Sequence, residues 1–213
     1  LIVIEDAAQS FGSSYFGRKS CNLSTIACTS FFPTKPLGCY GDGGAIFTSD
    51  PELASIIRKI ARHGQTKKYY HEIIGINSRL DTIQAAVLLA KLEILDWEIH
   101  TKKKVAKYYN QNLAPVHNID IPEITDETES AWALYTLKFR QRSKNQAHLT
   151  NMNIPSVVYY PLPLYKQQAL LNNKVLLANT ETLCAEVLSI PIHAYLNIEM
   201  QDQIINAISN FNS

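Results

Sequence analysis

The sequence predicts an α/β protein of two domains, and three features carry that expectation. Short apolar runs rich in β-branched residues alternate with stretches whose apolar residues recur every three or four positions. A Pro- and Gly-rich stretch at 33–44 interrupts the first group of elements, and one long helical pattern from Leu80 to just before Pro115 leads from a first region into a second. With 213 residues, 46% hydrophobic and 18% charged, the chain can bury one sizeable core or two modest ones and is too apolar to be disordered.

Leu1-Ile2-Val3-Ile4 is apolar on both parities, as expected of a strand covered on both faces in a parallel sheet, and Glu5-Asp6 ends it. Opening on such a run, without Met, is expected of a C-terminal piece of a longer chain. A second strand is expected over 24–32 and a third over 45–48. Asp50-Pro51-Glu52 then starts a helix to about Arg62, with Asp50 as cap and Pro51 at the first helical position. After a polar segment over 63–76, Leu80, Ile83, Val87, Ala90, Ile94 and Trp97 mark one face of a single long helix that continues through the basic stretch 102–107. Beyond Ile119, strands over 132–140 and 156–160 alternate with helices over 165–171, 179–187 and 197–208. Residues 1–98 are thus expected to form one domain and 99–213 a second α/β domain.

Composition narrows the function. Twenty Lys+Arg against nineteen Asp+Glu leave a charge of +1, which gives no footprint for nucleic acid or an anionic membrane. The four cysteines form no C-x-x-C pair and the six histidines show no zinc-ligand spacing, so free thiols and no metal site are expected. With neither a run of eighteen apolar residues nor a signal-peptide pattern, a cytoplasmic protein is expected. Hydrolytic triads have no support from spacing.

The most informative stretch is Ser30-Phe31-Phe32-Pro33-Thr34-Lys35-Pro36-Leu37-Gly38, where one lysine lies between two prolines after an apolar strand. Prolines restrict the loop, and partial burial lowers a lysine's pKa so that the neutral amine can condense with an aldehyde. A solvated loop lysine is the commoner outcome on loop context alone. Asp6, at the carboxyl end of its strand, can pair with a pyridinium nitrogen, or it can cap a helix with Gln9 three positions on. Ser30 can donate to a phosphate or satisfy local backbone. Gly38, Gly41, Gly43 and Gly44 match no nucleotide-binding loop and read as residues that let the backbone fold close beside Lys35. Asn77 and Arg79 can both donate to an anion, and a turn at a helix entry is the alternative.

Together with Glu5-Asp6-Ala7-Ala8-Gln9-Ser10, Gly41-Asp42-Gly43-Gly44-Ala45, Arg62-His63-Gly64 and Gly75-Ile76-Asn77-Ser78-Arg79-Leu80-Asp81, this stretch resembles the DegT/DnrJ/StrS sugar-nucleotide aminotransferases, pyridoxal-phosphate enzymes of the fold-type-I class. The resemblance is strongest up to about Leu95. It implies that 1–98 is the C-terminal part of the cofactor-binding large domain. It makes Lys35 the lysine that binds the cofactor aldehyde, Asp6 the partner of the ring nitrogen, Gln9 a neighbour of the ring hydroxyl and Ser30 a donor to the phosphate. Asn77 would reach the phosphate in a second subunit, so a homodimer with shared sites is implied, and Arg79, Tyr159 and Tyr160 would meet the nucleotide sugar. Many relatives have His where this sequence has Tyr159 and Tyr165, which can alter substrate contacts. The segments 39–42 and 77–79 look most like members that aminate C3 of a UDP-linked 3-keto-glucuronic acid for surface polysaccharide, O-antigen included, with glutamate as donor. The alternatives are a 4-keto-6-deoxy sugar nucleotide as substrate, or a non-catalytic truncated dimerisation module. The family's dehydratase branch has His at the lysine position, and Lys35 argues against it. Because the family's N-terminal portion is not in this sequence, these residues alone are expected to bind the cofactor poorly and to be inactive.

Overall fold

The computed structural model describes residues 1–171 and 175–212. The chain forms two compact units, Leu1–Ile99 with Ile124–Ala133, and His100–Glu123 with Leu134–Ser213. Residues 124–133, assigned from the sequence to the second domain, therefore lie in the first unit.

In the first unit, β1 (Ile4–Asp6) is followed by the two-residue strands β2 (Ser14–Tyr15) and β3 (Arg18–Lys19), then by β4 (Ile26–Ser30) and β5 (Gly44–Phe47). The sheet order is β1-β4-β5. β1 runs parallel to β4 with Asp6 opposite Cys28, and β5 joins antiparallel with Gly44 opposite Ser30. Ala27 and Thr29 alternate with less buried neighbours along β4, the period-2 burial of a strand with one covered face. The strand expected over 1–4 starts only at Ile4, and Leu1 to Ile4 are all exposed rather than covered on both faces.

Helix α1 (Pro51–Ala61) begins as its sequence dictates. Asp50 Oδ1 accepts from Glu52 N at 2.8 Å and Leu53 N at 3.0 Å, while Pro51 needs no partner for an N–H it lacks. The polar segment after it folds into a hairpin of β6 (Gln65–Lys67) and β7 (Tyr70–His71). The single long helix expected next is two helices, α2 (Thr82–Leu92) and α3 (Leu95–Leu113), separated by a turn at Glu93 and Ile94. Of the apolar stripe read from the sequence, Leu80, Ile83, Ile94 and Trp97 are exposed; the buried residues are Leu88, Leu95 and Ile99. These three pack with Phe31, Leu37, Cys39 and Ala131 in one cluster. After β8 (Ile119–Asp120), strand β9 (Thr128–Glu129) pairs with β2, and Ala131 N donates to Ser13 Oγ at 2.9 Å.

In the second unit, β10 (Tyr135–Phe139) is the centre of an antiparallel sheet ordered β11-β10-β8, with β11 spanning Val187–Ile190. Tyr135, Leu137 and Phe139 turn one face of β10 into the core with Tyr109, Leu113, Leu149, Leu188 and Ile208. Helix α4 (Arg142–Asn151), not anticipated from the sequence, buries only Asn145 and Leu149. Helices α5 (Ala178–Glu186) and α6 (Ile198–Asn212) fall close to their expected places. Asn145 and Asn212 exchange amide hydrogen bonds of 3.3 and 2.7 Å, satisfying two buried side chains at once. Expected helix 165–171 is instead a pair of 3₁₀ turns, Leu164–Lys166 and Gln168–Leu170. Expected strand 156–160 is reduced to a single bridge between Val157 and Ser189. Among the described residues, no helix is long and apolar enough to cross a membrane.

Glu181 of α5 accepts from Lys166 Nζ at 2.7 Å and from Tyr165 Oη, which ties the first 3₁₀ turn to the helix. The Lys166 bond, then the Tyr165 bond, holds the Glu181 carboxyl below its ordinary value of 4.5. A depressed carboxyl contributes fully above the unfolded value and loses its contribution as pH falls through the folded one. Protection of the Lys166 and Gln167 amides against exchange, corrected for the intrinsic pH dependence, is therefore expected to hold from neutral pH down to about 4.5 and to fall only below it, with a smaller change in high salt.

Candidate active site

The lysine stretch is a closed loop. Phe31 O accepts from Cys39 N at 2.8 Å and from the Cys39 thiol at 3.0 Å, and Phe31 N donates to Gly43 O at 2.8 Å. Residues 32–38 emerge between those two feet, with Lys35 N donating to Phe32 O at 2.9 Å in a tight turn. Gly38 makes this closure possible: a Cβ there would lie 2.5 Å from Pro33 O and 2.7 Å from Phe32 O. Gly44 has a similar constraint, with Thr29 O at 2.8 Å, so the reading of these glycines as close-approach residues matches the geometry. Pro36, Leu37 and Gly38 are buried and Lys35 is half-buried. Its ammonium makes no hydrogen bond or ion pair with any described residue. The restriction therefore reaches the lysine through its backbone, and its amine stays uncommitted.

Asp6 closes β1, and its exposed carboxylate accepts from Ala8 N at 3.0 Å. Turns, not a helix, follow over residues 8–12, so the helix-capping alternative is not realised; Gln9 lies exposed in those turns. Neighbouring Glu5 has a structural task, accepting from Ser20 Oγ at 2.9 Å, Cys21 N at 2.8 Å and Leu23 N at 3.2 Å. Ala7 N donates to Cys28 O at 2.7 Å and Thr29 Oγ1 donates to Ala7 O at 3.0 Å, which locks the end of β1 to β4. Ser30 closes β4, where its Oγ accepts from Phe32 N at 3.2 Å and keeps its own proton available to donate. Asp6, Ser30 and the Lys35 loop thus share the carboxyl ends of two parallel strands, the edge at which open α/β sheets bind ligands.

Asn77 and Arg79 belong to a different grouping. Asn77 bridges to Arg62, and Ser78 N donates to Ala61 O at 3.0 Å. Asn77, Ser78 and Arg79 line a cleft of ≈ 670 Å³ with Thr29, Asp42 and Arg58, and Lys35 is not among its lining residues. Arg58, on the last turn of α1, was missed because a basic residue there reads as a partner of the helix dipole. Tyr159 and Tyr160 lie exposed in the second unit with their rings edge to face, 5.5 Å apart. No group of three or more His, Cys, Asp or Glu among the described residues could hold a metal ion.

The model of the DegT/DnrJ/EryC1/StrS aminotransferase family matches residues 1–209. The chain belongs to this family. It is 52% identical over 208 residues to the UDP-2-acetamido-2-deoxy-3-oxo-D-glucuronate aminotransferase of Pseudomonas aeruginosa, covering 98% of this chain and 58% of that protein. It is 40% identical to a pleiotropic regulatory protein of Geobacillus stearothermophilus, again covering 58% of it and 99% of this chain. A DegT/DnrJ/EryC1/StrS aminotransferase from Brucella abortus superposes with a TM-score of 0.96 at 43% identity, covering 100% of this chain and 58% of that one. The chain thus spans a little under three fifths of the length of these family members, and the α/β architecture is that of the aminotransferase fold.

In this family member, Gly38→Ala is expected to cost about 1–3 kcal/mol, because the added methyl meets backbone oxygens that no side-chain rotation can move. Urea unfolding of the two forms, followed by a probe in the first unit, measures it.

Proposed function

We propose that the protein transfers an amino group from an amino acid to a keto-sugar nucleotide with pyridoxal phosphate as cofactor. The observation that carries this reading is the uncommitted Lys35 amine, half-buried on a closed loop beside the strand ends that carry Asp6 and Ser30. The residues fit the cofactor. An aldehyde needs an amine free of partners, a ring nitrogen needs a carboxylate, and a phosphate needs donors; Lys35, Asp6 and Ser30 supply these in turn. Gln9 would sit beside the ring hydroxyl, and Asn77 would donate to the phosphate in a second copy of the chain, which makes the working unit a homodimer.

When bound, the cofactor supplies an electron sink for the carbanion of the reacting amine. Lys35 Nζ would hold the cofactor through its aldehyde. Once displaced by the incoming amine, it would be the acid/base that takes the proton from the donor's α-carbon and, in the second half of the reaction, delivers one to the sugar carbon being aminated. Asp6 keeps a proton on the ring nitrogen through a charge-assisted hydrogen bond. Glutamate is the proposed donor.

The 52% identical relative bears the name UDP-2-acetamido-2-deoxy-3-oxo-D-glucuronate aminotransferase, which supports a UDP-linked 3-keto-uronic acid as substrate; the proposed role of the product is in surface polysaccharide. Arg79 then pairs its guanidinium with the sugar carboxylate, and Tyr159 and Tyr160 supply further sugar contacts. We assign the protein to the cytoplasm, where its free Cys21, Cys28, Cys39 and Cys184 stay reduced.

In a chain that includes the family's N-terminal portion, adding pyridoxal phosphate should produce a visible absorption band that disappears in Lys35→Ala; a band that persists in that variant overturns the assignment. In turnover assays with the UDP-linked 3-keto-uronate, Arg79→Lys is expected to lower kcat/KM by about tenfold or more, since an ammonium cannot match the bidentate fork.

A further inference from the structure

We propose that Gln84 and Lys91 are positioning residues for Lys35: helix α2 grips the lysine loop at its exit and fixes where the amine sits. The cofactor arm of the test rests on the reading of Lys35 given above, whereas the grip itself does not.

The loop's own hydrogen bonds close it onto Phe31 but leave it hinged about that one residue. The second constraint comes from α2. Lys91 Nζ donates to Gly38 O at 2.6 Å, and Gln84 Oε1 accepts from Tyr40 N at 2.8 Å. Gly38 precedes the Cys39 foot and Tyr40 follows it, so the two side chains take hold on either side of the residue that closes the loop. Gln84, Leu88 and Lys91 are four and three residues apart and form one stripe of the helix. Leu88, 7% exposed, packs in the cluster with Phe31, Leu37 and Cys39. The stripe is polar, apolar and polar in turn, matching the amide, the buried core and the carbonyl that the loop exit presents.

The chemistry of the contacts explains why these residue types are needed. Gly38 is buried, so its carbonyl would lose a charge-assisted bond and gain no water if Lys91 lost its ammonium. The Gln84 amide also lies against Gly41, where a Cβ would stand 3.1 Å from Nε2. A group that must meet an aldehyde carbon and then move a proton tolerates little displacement, and a helix is a firmer reference than a loop.

The test compares Lys91→Met and Gln84→Met with the conservative forms Lys91→Arg and Gln84→Glu. Without cofactor, amide exchange of Tyr40 and of the non-proline residues of 32–38 should accelerate about tenfold in the Met forms, return toward wild type in the conservative ones, and leave α1 unchanged. With pyridoxal phosphate bound, the pH midpoint of the visible band should shift by about half a unit or more in the Met forms. In the same variants kcat should fall about tenfold at unchanged KM for the nucleotide sugar. Unchanged exchange at Tyr40 overturns the grip. Faster exchange with an unmoved midpoint and unchanged kcat overturns the positioning role. A wild-type chain that includes the family's N-terminal portion and still shows no visible band refutes the Lys35 reading, while the exchange data decide the grip. Should Lys91→Met not fold, Gln84→Met decides alone.

Discussion

The backbone carbonyl of Phe31 governs the arrangement of the site. It receives both the amide and the thiol of Cys39, and so converts a nine-residue stretch of extended chain and prolines into a loop with a fixed base. Strand β4 supplies one foot, already locked to β1 through Ala7 and Thr29, and the buried core supplies the other. Lys35 is thereby restrained through its backbone, with no hydrogen bond or ion pair from a described residue to its side-chain nitrogen. Had the lysine been held by a salt bridge, its nitrogen would be engaged and not free to bond with an aldehyde.

The same residues that close the loop also hold the first unit together. Phe31, Leu37 and Cys39 pack with Leu88, Leu95 and Ile99, so the loop exit belongs to the hydrophobic core rather than the surface. Core substitutions here are expected to act on chemistry as well as stability, because close-packed interiors transmit displacement. The second unit keeps its core apart from the tyrosines proposed to meet the sugar. Its core of Tyr135, Leu137, Phe139, Leu149 and Leu188 is distinct from the exposed Tyr159 and Tyr160.

Sequence carried the locally determined features well. Asp50-Pro51 specifies the start of α1 because a cap and a fixed φ act within one turn, and the strands ending at Ser30 and beginning at Gly44 are bounded by residues that break or permit close approach. The prolines and glycines around Lys35 announced a restrained loop. What sequence could not carry is which of two apolar faces becomes the buried one. On α2, Ile83 and Leu89 are exposed while Leu88 is buried, and periodicity alone favours neither. The break at Glu93 and Ile94 has no Gly or Pro to signal it. The two-residue strands β2, β3, β7, β8 and β9 are too short to show a period, and the polar α4 lacks an apolar stripe. Within the site, position made Lys35 and Asp6 candidates and the family resemblance supplied the roles proposed for them, whereas Gln84 and Lys91 reach the loop across 44 and 53 residues of chain, a relation that only the fold reveals.

The central claim is that the Lys35 amine is the covalent anchor of pyridoxal phosphate. A crystal of the protein grown with that compound tests it most directly. Continuous electron density from Lys35 Nζ to the aldehyde carbon, with Asp6 within hydrogen-bonding distance of the ring nitrogen, is the expected result. Density joining the compound to another lysine, or placing it away from the carboxyl ends of β1 and β4, would contradict the account.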